Sequence, residues 1–147
     1  MAPTPSDPFE LVRFVEAQDD VLDEVRAQLS AGRKTSHWMW YVFPQIAGLG
    51  FSMMAQGYAI RGRDEALAYL AHPVLGPRLR ELTALVIAAP DRSANEIFGS
   101  PDDLKFRSCV TLFAAVAPQD PVFRRALVRF YGGQDDQRTL DLLGAAE

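Results

Sequence analysis

Leu11, Phe14, Val15, Leu22, Val25 and Leu29 recur at steps of three, four and seven, which draws one apolar stripe along a helix from Pro8 to about Ser30. Ser6 or Asp7 ahead of Pro8 supplies the cap, with proline in the first turn, and Asp19-Asp20 marks a break. Gln18 lies on the stripe, so its amide is expected either to be hydrogen-bonded in the core or to line a cavity. From Thr35 to Gly57 no period holds, and Pro44, Gly48 and Gly50 predict short helical turns joined by a loop. A short helix follows over Arg63 to Ala71, and a longer one carries Leu75, Leu79, Leu82 and Val86 in line until Pro90 stops it. Ser100-Pro101-Asp102-Asp103 reads as a capped helix start that turns Phe106, Cys109, Val110, Phe113 and Val116 inward. Asp120-Pro121 opens another helix with Phe123, Ala126, Leu127 and Phe130 on one face and Gly132-Gly133 at its end. Thr139 to Leu143 adds a final turn or two.

Every clear element is helical, and no alternating run flanked by hairpin turns is visible. The pattern predicts an all-α, compact, single-domain multi-helix fold over residues 8–147, with room for one small strand pair in the irregular middle. Pro3, Pro5 and Pro8 predict an extended tail over residues 1–7. The length of 147 residues, 48% hydrophobic and 23% charged, is enough for one core without staples. A net charge of −4 argues against a duplex nucleic-acid binder, because nonspecific phosphate affinity needs a basic face. Cys109 is alone, so no intrachain disulfide forms, and no leader or membrane-spanning run is visible. A cytoplasmic protein without membrane association is expected; oligomeric state is not legible.

Candidate chemistry concentrates in Gly32-Arg33-Lys34-Thr35-Ser36-His37-Trp38-Met39-Trp40-Tyr41-Val42-Phe43-Pro44-Gln45. Rings offer π faces to a flat group and Arg33 and Lys34 offer charge to an anion, the two halves of a nucleotide-like site. The competing reading makes the same rings the aromatic centre of the core. Lys34 and Lys105 are the only lysines, so two cationic arms are expected to converge on one anion, with Asp102, Asp103 or a bound phosphate between them. Ser108 lies on a small polar face of the same helix as Lys105, suited either to close packing or to lining a ligand. The ligand-binding candidates are therefore Arg33, Lys34, His37, Trp38, Trp40, Gln45, Lys105 and Ser108. Glu16 and Asp103 are the candidate general bases; Asp102 and Asp103 also suit a helix N-terminus as charges complementing its dipole. Two histidines without companion ligands give no metal site, and neither a hydrolytic triad nor a dinucleotide fingerprint is present, so no cofactor is expected.

Arg13-Phe14-Val15-Glu16-Ala17-Gln18, Gly32-Arg33-Lys34, Ser36-His37-Trp38-Met39-Trp40, Phe43-Pro44-Gln45, Ala71-His72-Pro73-Val74-Leu75-Gly76, Ile97 to Lys105 and Thr111-Leu112-Phe113 carry a resemblance. The chain resembles, over nearly its whole length, an uncharacterised bacterial and fungal family, the domain of unknown function numbered eighteen-ten, sometimes labelled calpastatin-like. The resemblance implies a mainly helical fold and no established activity. Phe14 to Gln18, His72 to Leu79 and Ile97-Phe98-Gly99 are also similar to the NADAR superfamily of ADP-ribose-related N-glycosidases. The acidic residue those enzymes carry ahead of the early aromatic pair has no counterpart, since Leu11, Val12 and Arg13 stand there. That similarity implies an ADP-ribose-related or other nucleotide-like ligand, bound or processed by an N-glycosidase-type hydrolase. The alternative is a noncatalytic protein-interaction module whose aromatic run is core.

Overall fold

Asp7 opens the described part of the chain, residues 7–146 of a computed structural model, by accepting the backbone N–H groups of Leu11 and Val12. The carboxylate thus caps helix α1 (Val12–Asp19), which starts later than Pro8 because Glu10 takes a left-handed φ of 55° between proline turn and helix. The other cap candidate, Ser6, and the extended tail apart from Asp7 lie outside the described residues. The chain breaks at Asp20-Val21 and continues as α2 (Leu22–Ser30). Leu11, Phe14, Val25 and Leu29 are buried, as the stripe requires. Gln18 is buried with them and its amide is satisfied: it donates to the Tyr41 carbonyl and the Tyr69 hydroxyl and accepts from Arg78. Burial also holds the Tyr69 phenol far above its ordinary pKa, so Gln18 meets a protonated hydroxyl.

The irregular middle holds two single-turn helices, α3 (Met39–Val42) and α4 (Met53–Gly57), the second capped by Ser52. Instead of a strand pair it contains one isolated parallel bridge, Ile46 to Ile60. Helices α5 (Arg63–Ala71) and α6 (Leu75–Ala88) follow where the pattern puts them, with Leu75, Leu79, Leu82 and Val86 buried. They approach closely at Gly76, where a Cβ would sit 2.1 Å from the Leu70 carbonyl oxygen. His72 Nδ1 accepts the N–H groups of Val74 and Leu75 and so satisfies the start of α6.

A helix too short to show an apolar stripe in the sequence, α7 (Ala94–Phe98), is fixed by a complete capping box between Ser93 and Glu96. The Ser93 backbone N–H, donated to the Glu96 carboxylate, and the Ser93 side chain after it hold that carboxyl below its usual range. Helix α8 (Asp102–Val116) is the central element, packed against α5, α7, α9 (Pro121–Tyr131) and α10 (Gln137–Ala146). Phe106, Cys109, Val110, Phe113 and Val116 are all buried on it. Ser100 does not cap this helix; the carbonyls of Gly99 and Pro101 accept its first N–H groups instead. Gly132, at a left-handed φ of 64°, ends α9, and α10 runs longer than the expected turn or two. The chain is all-α, and among the described residues no helix is long and apolar enough to cross a membrane.

Candidate functional site

The site begins with how α2 ends. Gly32 adopts φ 73°, its N–H bonds the Leu29 carbonyl, and the next N–H, of Arg33, bonds the Gln28 carbonyl. This is the paired closure in which a left-handed glycine satisfies the last helix carbonyls. It turns the chain so that the Lys34 N–H reaches the Ile97 carbonyl of α7 at 2.7 Å. Gln28 then fixes the following residues from α2: its Oε1 accepts both the Thr35 N–H and the Trp38 indole N–H, and its Nε2 donates to Ser36 Oγ. Ser36 in turn donates to Glu24. Gln28 is not among the residues singled out from the sequence. The signal for it is chemical, since a buried indole N–H needs an acceptor.

Trp38 is only 1% exposed and, with Phe43, belongs to the core, where Phe43 meets Phe106 edge-on at 5.0 Å and Phe98 stacks on Phe106 at 4.8 Å. Above that core the two lysines converge on Asp102, whose carboxylate offsets their mutual repulsion. Lys34 Nζ lies 2.8 Å from one Asp102 oxygen and Lys105 Nζ 3.6 Å from the other. Each ammonium also stands over a ring, Lys34 over Trp38 at 5.1 Å and Lys105 over Trp40 at 5.6 Å, within reach of a cation–π attraction. Asp102 sits in the first turn of α8, where the helix dipole favours its charge.

Trp40 also borders a cavity of about 110 Å³ between the 45–50 segment and α4, shared with Gln45, Ile46, Gln56 and Tyr58. The far wall of this cavity is held by Arg13, which bonds the carbonyls of Gly57 and Ala59 and pairs with the buried Glu65 at 2.9 Å. Tyr41, beside Tyr58 at 5.3 Å, has its phenol pushed up by burial first and by Tyr58 second. Trp40, Gln45 and Lys105 thus gather at one place, with Lys34 behind them and neutralised by Asp102.

The remaining candidates stand apart. Arg33 and His37 are exposed. Ser108 donates to Asp136 at 2.7 Å, and Asp136 also accepts from Thr139 while its N–H donates to Thr111. The small polar face of α8 therefore stitches α8 to α10. Asp103 accepts from Asn95 and from the Leu104 N–H, and its carbonyl accepts from Tyr131. Glu16 is exposed on α1, and among the described residues its carboxylate has no hydrogen-bond or ion-pair partner.

An all-α domain with a lysine-carboxylate cluster beside a small aromatic cavity is the class that fold and site define. Residues 8–143 match the family described as protein of unknown function (DUF1810), and the chain belongs to that family. It is similar to the conserved hypothetical protein Rv1873 from Mycobacterium tuberculosis, whose crystal structure superposes with a TM-score of 0.92 at 52% identity, covering 94% of this chain and 99% of that one. No curated protein matches the sequence significantly.

Proposed function

We propose that the protein binds a small planar anion of the nucleotide-like class, its ring entering the cavity beside Trp40 and its anionic group meeting Lys105. The observation that carries this reading is the position of Trp40, whose ring lies under the Lys105 ammonium and also lines the cavity. A cation and an adjoining apolar recess suit a ligand with one flat end and one charged end. Gln45 contributes an amide that both donates and accepts, which suits the edge of a heterocycle. The volume of about 110 Å³ holds one ring, well short of the ~300–1,000 Å³ of sites that enclose a drug-sized ligand, so sugar and phosphate lie at the mouth. Trp38 takes no part as a stacking face, and the proposal is for binding without a chemical step.

The test is a thermal-shift titration with AMP, nicotinamide mononucleotide and ADP-ribose against sulfate as an anion control. At least one nucleotide is expected to raise Tm where sulfate does not, and the shift should vanish in Trp40→Ala and shrink in Lys105→Ala. Stabilisation by none of them, or equal stabilisation in both variants, overturns the reading. A protein-interaction module is the second reading. It is favoured by Phe51 and Met53, 75% and 91% exposed on the segment that walls the same cavity. Under that reading Phe51→Ser with Met53→Ser abolishes partner binding, and nucleotides leave Tm unmoved.

A further inference from the structure

Helix α9 is charged unlike the rest of the chain: it carries Arg124, Arg125 and Arg129 and no carboxylate, in a protein of net charge −4. Its outward face is also apolar in part, with Val128 61% exposed one turn beyond Arg124 and Arg125. Between this face and the end of α6 runs an open groove of about 540 Å³ whose floor is Ile87, Pro118, Pro121 and Val128. The three arginines edge the same groove. None of its lining residues belongs to the cavity beside Trp40.

The arginines differ in how much of their hydrogen bonding is already taken. Arg124 pairs with Asp135 at 2.9 Å. Arg129 donates one nitrogen to the carbonyls of Ala89 and Arg92, which anchors it and leaves its other donors. Among the described residues the Arg125 side chain has no hydrogen-bond or ion-pair partner. Asp120, the carboxylate immediately before α9, is held by Arg80. Arg125 and Arg129 are four residues apart, so both stand on one side of α9, their backbone positions about 6 Å apart, and both edge the apolar floor.

We propose that this groove docks a short acidic peptide segment of a partner protein, one apolar side chain resting on Val128 and Pro121 and two flanking carboxylates taken by Arg125 and Arg129. Charge complementarity carries the choice, because planar guanidinium groups bind carboxylates bidentately and the rest of the protein is acidic. A membrane surface fits less well, since the floor lacks the Trp, Phe and Leu side chains of interfacial helices. Single-stranded nucleic acid needs stacking rings, and no aromatic residue lines the groove.

The test is selection of a random peptide library on the whole protein, followed by affinity measurement on Arg125→Glu and Val128→Glu. Both positions are exposed, and unchanged Tm confirms that the variants fold; Arg125→Ala serves as a milder companion. Selected peptides are expected to share an apolar residue flanked by Asp or Glu and to weaken by at least about tenfold in either variant. Lysine in place of one peptide carboxylate should restore binding to Arg125→Glu. No enrichment, peptides without carboxylates, or affinities indifferent to both substitutions overturn the proposal. Arg125-dependent binding of phosphatidylserine vesicles or of oligo-dT, without peptide binding, overturns it in favour of a lipid or nucleic-acid surface.

Discussion

Two charged clusters flank the cavity, and they are built on opposite terms. Arg13 uses all five of its N–H donors, on the carbonyls of Phe9, Glu10, Gly57 and Ala59 and on Glu65, whose side chain is 0% exposed and whose other oxygen accepts the Arg61 N–H. Lys34 makes one ion pair with Asp102, and Lys105, with 29% of its side chain exposed, stands 3.6 Å from the same carboxylate. A charge whose donors are saturated is a strut that shapes the site. A charge with donors to spare remains open to a ligand. Residue type alone ranks the two clusters alike; hydrogen-bond occupancy separates them.

The sharpest way to break the comparison is Arg13→Ala. It leaves Glu65 buried without its counter-charge and frees the 57–59 wall, so a loss of about 3–5 kcal/mol is expected, read as a shift in urea midpoint. A loss below about 1 kcal/mol would show that Arg13 is no strut. Gln28→Leu comes next. It strips acceptors from the Trp38 indole and the Thr35 N–H together, and about 2 kcal/mol should be lost, with Trp38 fluorescence reporting the disturbance. Unchanged stability and fluorescence would mean that the clamp on residues 35–38 is dispensable. Asp102→Asn removes the charge both lysines share, and about 1.5 kcal/mol should go, less at high salt. Insensitivity to both the substitution and salt would dissolve the cluster.

The same distinction marks what the sequence could disclose. The helices with a strong apolar period were legible: Leu75, Leu79, Leu82 and Val86, or Phe106 to Val116, declare their buried face because burial acts on each position separately. Residue type left the anion between Lys34 and Lys105 open among Asp102, Asp103 and a bound phosphate; Asp102 comes to stand beside both ammonium groups only on folding. Helix α7 was missed although Ser93 and Glu96 spell its capping box, because five residues are too few to show a period. Arg13 and Gln28 were not singled out as organisers of the site. Their partners lie on other elements, at Gly57 to Glu65 for one and on the 35–38 turn for the other, and that adjacency exists only after folding. Ser108 and Trp38 illustrate the converse, since a residue of the right type becomes a packing element once Asp136 or Gln28 takes its polar atom.

The smallest effect on stability is expected at Lys105, and it is the most informative for function. Its ammonium is partly exposed and its contact with Asp102 is at 3.6 Å, so Lys105→Ala should shift unfolding by no more than about 0.5 kcal/mol, the worth of an ordinary surface pair. Asp102 keeps Lys34 in either case, which protects the buried half of the cluster. If the nucleotide-like anion meets Lys105 over Trp40, the same substitution should weaken AMP binding by about 1.5–3 kcal/mol, the worth of a charge-assisted hydrogen bond, or roughly ten- to a hundredfold in Kd. Lys105→Arg, which keeps the charge over the ring, should recover most of that loss. Calorimetric titration alongside urea unfolding reads both quantities on one preparation. Equal losses of stability and affinity would make Lys105 a strut like Arg13, and an affinity untouched by the substitution would move the anion away from Trp40 altogether.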